Sequence, residues 1–299
     1  SNIEVRNTLE VRYAPLDFID IYLIKTDGKI ASHASLGDHH FYYERPILSR
    51  HHMAPLVFEA KSQYQLVIRL KSVSSVSAPT YLSSMDALYQ YEHFTQIAMG
   101  MFYGLALGLF FYNLFLFLNI KDVIYLYYII YVLGYTLFMA SLDGLLYQFW
   151  PNSIDWESRS INIYPWICGI FFSLFCRSVL QTKKESPKSD LILRTFFYLY
   201  SLGAISFFFI DISIAAKINA PVITLNAFCV LGITIVRTVQ GNRAAIYFLI
   251  GFTLKLKKTN NTLIASYKNL ILLCPLHTLN CQSWCELLVR SNLCFLKCS

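Results

Sequence analysis

Residues 97–118 read IAMGMFYGLALGLFFYNLFLFL, 22 positions without a charge. The hydrocarbon core of a bilayer takes about 20 apolar residues of helix to cross. Only helices and closed barrels satisfy their backbone groups in lipid. This stretch therefore reads as a transmembrane helix, and the fold question becomes a membrane question. Residues 123–142, also charge-free and rich in tyrosine, follow after the short polar link Asn119-Ile120-Lys121-Asp122. Residues 160–176, 195–216 and 218–236 read as three further spans, and 244–254 as part of a sixth.

Composition agrees. Hydrophobic residues make up 56% of the chain and charged residues 14%, against about 25% charged in soluble domains. Mean hydropathy is +0.46. Residues 1–93 are nearly charge-balanced, with 9 Lys+Arg and 10 Asp+Glu, and look soluble. The net charge of +7 comes from the membrane flanks and the tail, a distribution that argues against a nucleic-acid partner. The lipid bilayer is the expected one.

Three domains are expected: 1–93, a β-sandwich; 94–254, the transmembrane helices; and 255–299, an atypical tail. In the first, residues 9–24 end in strand-like alternation, Thr26-Asp27-Gly28-Lys29 supplies a turn, and 56–60 and 64–70 read as strands. Leu66, Ile68 and Leu70 share one face of the last. Residues 72–80 read as a polar connection, and no strong helical pattern appears before the first span. The fold class is thus multi-domain, a partial β-sandwich followed by an α-helical polytopic bundle. The chain opens on Ser1 with no signal-peptide core, so the sandwich is expected to be incomplete at its N-terminus.

Basic residues set the orientation. The 119–122, 177–194 and 237–243 loops carry eight Lys and Arg, and the opposite loops carry only Arg159 and Lys217. Cytoplasmic loops concentrate such residues, which places the β-domain outside.

Few residues carry chemistry. Five of the seven histidines lie between His33 and His52, including the pairs His39-His40 and His51-His52. Neighbours on a strand point to opposite faces, so these read as exposed loop histidines and no metal site is expected. Asp143 and Asp211 fall at span ends, where solvation is cheap. Gly100, Gly104 and Gly108 repeat every four residues, a spacing that lets helices approach closely. An internal packing seam is the favoured reading, and a homodimer contact is the alternative. Catalytic signatures are missing: there is no Ser/His/Asp set, HExxH or P-loop, so neither an enzyme nor a cofactor is expected.

The order of motifs from Gly104 to Pro151 resembles the bacterial seven-transmembrane receptors with diverse intracellular signalling modules, the 7TMR-DISM family. The matching residues are Gly104, Tyr112-Asn113-Leu114, Lys121-Asp122, Tyr125-Leu126-Tyr127-Tyr128, Gly144 and Trp150-Pro151, followed by Gly241-Asn242-Arg243-Ala244-Ala245. Leu16-Asp17, Ile21-Tyr22-Leu23, Asp27-Gly28, Gly37-Asp38 and Arg45-Pro46 resemble the family's second type of extracellular domain. The resemblance implies a jelly-roll-like sensor for an external small ligand, carbohydrate-like in kind, on a bacterial inner-membrane relay. It also implies a cytoplasmic output module, such as a histidine kinase or a diguanylate cyclase, not recognised in these residues. A transporter or channel component is the alternative, although helix breaks and polar groups at mid-membrane depth are few.

The pattern is expected to stop near Phe252. Beyond Gly251 there is no further glycine, five of the eight cysteines fall in 274–298, and Lys255, Lys257 and Lys258 interrupt the sixth span. A shifted reading frame from about residue 253 is the reading these changes suggest. The cysteine spacing lacks the paired C-x2–4-C of zinc sites.

Overall fold

The computed structural model describes residues 5–60, 62–72, 78–150, 154–207, 209–242 and 244–249. Pro151, Arg243 and the tail 253–299, all singled out in the sequence, lie outside the described residues.

The chain divides into two compact units, Ser1–Phe94 with Leu137–Ile163, and Thr95–Thr136 with Tyr164–Ser299. Among its described residues the first holds the strands β1 (Val5–Val11), β2 (Phe18–Lys25), β3 (Ile30–Leu36), β4 (His52–Phe58), β5 (Tyr64–Lys71) and β6 (Thr80–Ser83). They form two antiparallel three-stranded sheets, in the orders β4-β1-β6 and β3-β2-β5. Leu9, Val11, Ala54 and Leu56 from the first sheet bury one core with Ile19, Ile21, Leu23 and Leu36 from the second. Period-two patterning produces this, since Ile19, Ile21 and Leu23 point inward while Phe18 is exposed.

Three elements were hidden in the sequence: β1 as a strand of its own, β3 and β6. The stretch 9–24 is two strands, parted by 12–17 with Pro15, which has no N–H to give a ladder. β6 occupies the end of what reads as a polar link, and residues 73–77 lie outside the described residues.

Among the described residues the helices that follow are α1 (Met85–Ile120), α2 (Val123–Leu142), α3 (Ile154–Val179), α4 (Thr182–Glu185), α5 (Pro187–Ser206) and α6 (Ile212–Val239). Residues 244–249 are also helical. Among the described residues, three segments are long and apolar enough to cross a membrane: Met85–Ile120, Val123–Leu142 and Lys217–Val239. α1 begins at Met85, well before Ile97. Ser84 Oγ accepts from Ala87 N at 3.4 Å, and Asp86 lies in the first turn, where the helix dipole favours a negative charge. Between α1 and α2, Lys121 adopts φ 57° and Asp122 Oδ1 accepts from Ile124 N at 2.9 Å. The motif Lys121-Asp122 is thus a left-handed turn followed by a helix cap.

Residues 195–216 are not a single helix. α5 ends at Ser206, and α6 starts anew at Ile212 with Asp211 at its N-cap position, a site that aspartate favours over a helix interior. The second unit buries Tyr131 and Val132 of α2, Phe172 and Cys176 of α3, Leu193 of α5, and Val230 and Ile233 of α6 in one cluster.

Candidate functional site

The polar interior of the first unit concentrates chemistry that the spans lack. Glu10, on β1, has a fully buried side chain. Its Oε1 stands 2.7 Å from His51 Nδ1, and its Oε2 accepts from Arg12 Nε at 2.7 Å. Arg50 reaches both carboxylate oxygens of Glu92, on α1, at 3.1 and 3.2 Å. His51 Nδ1 lies 3.6 Å from the same Glu92. The Arg12 guanidinium stacks on Tyr81 and Tyr91, at 4.0 and 3.6 Å from their centroids. β1, the residues before β4, and α1 are joined through this network. Burial pushes the Glu10 carboxyl up, but the hydrogen bonds and charges of His51 and Arg12 outweigh it and hold it below its ordinary value. Burial likewise opposes the Arg50 charge, and Glu92 restores it.

Glu10, His51 and Glu92 bring three ligand atoms within 4.8 Å of one another. Arg12 and Arg50 already oppose the two carboxylates, so a divalent cation there would meet two fixed positive charges.

The segment 37–52 builds a second polar centre. At Gly37, φ is 139° and a Cβ would stand 2.0 Å from Asp17 O; only glycine fits so close to another backbone. This contact draws Asp38 and His39 to β2, with Asp38 N donating to Leu16 O at 2.8 Å. Asp17, Asp38 and His39 also place ligand atoms within 4.8 Å, and His39 stacks on Phe18 at 4.9 Å. Arg45 follows a short 3-10 turn at Tyr42–Glu44 and is only 5% exposed. Its Nη1 donates to Ser49 O at 3.0 Å. Its carbon Cζ lies 4.4 Å from the Tyr147 ring centroid and 5.4 Å from that of Tyr42. Its Nε and Nη2 are buried with no hydrogen-bond partner among the described residues. Desolvation lowers the pKa of the guanidinium from its ordinary value, and Tyr147, Tyr42 and Asp38 partly restore it.

His52 is fully buried. Its Nε2 is 2.9 Å from Ala14 O, and its Nδ1 has no partner among the described residues. Burial first, and the Arg45 charge second, push its pKa down to about 3. His51 and His52 are therefore interior residues with divergent roles, not exposed loop histidines. His52 lies on β4 opposite Val11 of β1, and His51 faces Glu10; His33 and His39 are exposed, His33 on strand β3 and not on a loop.

Gly144 shows why that motif position is a glycine. Its φ is 73°, and a Cβ would lie 2.3 Å from Arg50 O. Asp143, beside it, acts electrostatically on Arg50. The connection after α2 is thus part of the polar interior of this unit.

The second unit places the remaining motif residues as follows. No atom lies within 4 Å of a Cβ built on Gly100, Gly104 or Gly108, so the predicted seam has no occupant among the described residues. Tyr112 is exposed, and Asn113 Nδ2 donates to Leu109 O of its own helix at 2.8 Å. Tyr125 is half-buried, and Tyr128 packs on Phe175 at 5.4 Å. Asn226 Nδ2 donates to Tyr200 OH at 3.1 Å. Asn242 Oδ1 accepts from Ala245 N at 3.2 Å and caps the helical residues 244–249. Asp211 is exposed.

Sequence reasoning missed a third centre. Arg237 on α6, only 2% exposed, donates to Leu180 O at 3.2 Å and to Gln240 Oε1 at 2.7 Å, and pairs with Glu185 of α4. Arg177 of α3 makes a two-point pair with Asp190 of α5 at 2.8 and 3.1 Å. Lone arginines flanking spans read only as topology signals.

Two family models match the chain. Residues 1–84 match 7TMR-DISM extracellular 2, and residues 95–274 match 7TM diverse intracellular signalling. The second match runs to Cys274, past the end near Phe252 that the sequence suggested. No curated protein and no solved structure matches the chain. The matches, with the apolar helices, describe a multi-pass membrane protein with an extracellular N-terminal region. The chain belongs to the 7TMR-DISM family of receptor-like membrane sensors.

Proposed function

We propose that this chain is the sensory and transmembrane part of a receptor in a bacterial inner membrane. An external small ligand, of the carbohydrate-like kind the family resemblance implies, biases the β-sandwich. The bias passes along the helices to a cytoplasmic signalling module outside the matched residues. The observation that carries this reading is the Glu10–His51–Glu92–Arg50 network, because it fastens strand β1 to the first turns of α1, a helix continuous from Met85 to Ile120. A ligand acts through such a link only if it binds two arrangements of it with different affinity. The proposal names no catalytic step and no cofactor.

The test uses the full chain in lipid nanodiscs. Hydrogen exchange is followed in residues 177–190 and 237–242 as a panel of sugars and small organic acids is added. Protection that changes there with a saturating ligand supports the relay. A ligand that binds the sandwich and leaves both segments unaltered overturns it. Uptake of the same radiolabelled solutes into sealed vesicles would favour a transporter instead.

A further inference from the structure

We infer that the rim formed by residues 41–48 and 149–150 is seated in the lipid headgroup layer, so that the partner of this surface is the extracellular leaflet of the bilayer. Phe41, Tyr43 and Leu48 on one side, and Phe149 and Trp150 on the other, are all exposed; Tyr43 reaches 65% and Phe149 73%. The unit that carries them has an apolar core of its own, so these side chains are surplus to its folding. Large apolar groups gathered on a surface mark a contact. Tyrosine and tryptophan in particular suit a boundary that is apolar on one side and wet on the other.

Two helices fix the depth of the rim. α2 is long and apolar enough to cross the bilayer, and it ends at Leu142. The chain then stays on the end of that helix. Leu145 N donates to Ala140 O at 2.9 Å, and Phe149 N and Trp150 N both donate to Leu146 O, at 3.0 and 3.1 Å. Residues 41–48 ride on the same turn: Tyr42 is buried and hydrogen-bonds Gln148, and the Arg45 guanidinium lies 4.4 Å from the Tyr147 ring centroid. The second helix is α1. Arg50 follows the rim closely and pairs with Glu92. Glu92 precedes the charge-free run at Ile97 by five residues, about 7.5 Å of helix. The headgroup layer adds about 5–7 Å on each side of the hydrocarbon. Both helices thus put the rim at headgroup depth. The charges agree. Arg45 and Arg50 are buried, and Glu44 is the one exposed charge in 41–50, so seating the rim desolvates little that is ionised. A second copy of the chain is the competing occupant; continuity of the rim with the end of α2 selects lipid.

The test uses the full chain in lipid nanodiscs, labelled with fluorotyrosine. Tyr43→Phe assigns one fluorine resonance and Tyr81→Phe another. Tyr81 is also exposed, but it precedes α1, whose 12 residues from Met85 to Ile97 set it roughly 18 Å from the apolar run. A lipid spin-labelled next to its glycerol should erase the Tyr43 resonance and spare that of Tyr81. A water-soluble relaxation agent should do the reverse. Erasure of both by the soluble agent, or an equal response of both to the lipid label, overturns the inference. Protection of Tyr43 from both agents overturns it too, since protein, a second copy or another partner, would then cover the rim. A photoreactive benzoylphenylalanine in place of Phe41 gives an independent reading, which stands even if Tyr43→Phe does not fold. It should yield a lipid adduct by mass; adducts to protein alone, or none, count against lipid. Failure on these readouts leaves the sensor reading intact, because neither involves its ligand.

Discussion

The Nδ1 of His51 stands 2.7 Å from Oε1 of Glu10, and that carboxylate has no exposure to water. Removing one partner of a buried ion pair leaves an uncompensated charge in the interior and costs about 3–5 kcal/mol. Glu10→Gln strips the charge facing both His51 and Arg12 and should lower stability by roughly 3 kcal/mol. Glu10→Gln and His51→Gln together should cost less than the sum of the two, with a coupling of about 1 kcal/mol or more. Thermal unfolding of the full chain in detergent measures the cycle. Strict additivity would mean that the contact contributes nothing.

His52 makes stability depend on pH in a defined window. Its folded pKa is about 3, against an ordinary 6.5. Between those values the unfolded imidazole binds a proton and the folded one does not. Stability is therefore complete above pH 6.5 and falls as the pH drops, by about 1.4 kcal/mol per pH unit. Glu10 adds a later loss, because its pKa lies below 4.5 and its contribution disappears as the pH falls through that folded value. His52→Gln should flatten the upper part of the profile and leave the lower part. Unfolding temperature measured from pH 7 to pH 4 would check this, and an unchanged slope in the variant would contradict it.

Two glycines with similar backbone angles should respond differently to alanine. Gly28 has φ 82° and open space where a Cβ would stand. Gly144 has φ 73°, and its Cβ would meet Arg50 O at 2.3 Å. Gly28→Ala pays only the left-handed penalty, about 1–2 kcal/mol. Gly144→Ala adds a clash with backbone and should cost about twice that or more. Unfolding temperatures of the two variants supply the comparison.

How much of this was legible in the sequence depended on what each residue had to face. Charge-free runs such as 97–118 declare themselves, because lipid permits few alternatives. The alternation in β2 was readable because one face meets a core and the other does not. β6 was missed because its four residues are mostly exposed, and their partner strand, β1, lies far away in sequence. The Ser84 cap and Asp86 were available signals for the start of α1, masked by the stronger apolar run after Thr95. His51 and His52 could not be read as buried, since their partners Glu10 and Ala14 lie about 40 residues away. Arg45 was visible as part of a motif, but its burial is a property of three dimensions alone.

In the helical unit, small residues fall into two kinds. A Cβ on Gly203 would meet the Trp166 ring at 2.4 Å, and one on Gly169 would meet the Tyr200 ring at 2.4 Å. Gly104 meets nothing within 4 Å. Gly203→Ala and Gly169→Ala should therefore destabilise by about 1–3 kcal/mol through overpacking. Gly104→Ala should be neutral, or slightly stabilising through helix propensity. A loss of stability in Gly104→Ala that depends on protein concentration would place a second copy of the chain against that face.

Arg237 and Glu185 form an unequal pair, and the inequality predicts which partner matters. The arginine side chain is 2% exposed and the glutamate 47%. Glu185→Gln removes a half-solvated charge, while Arg237 keeps Leu180 O and Gln240 Oε1 as acceptors. Such a loss is worth about 1 kcal/mol or less. Arg237→Ala empties a buried volume and strands the Leu180 carbonyl and the Gln240 amide, at a cost of about 2–4 kcal/mol. The unfolding temperature of each variant in detergent tests the ranking. Equal losses would mean that the ion pair, not the burial of arginine at the ends of α3 and α6, holds these segments together.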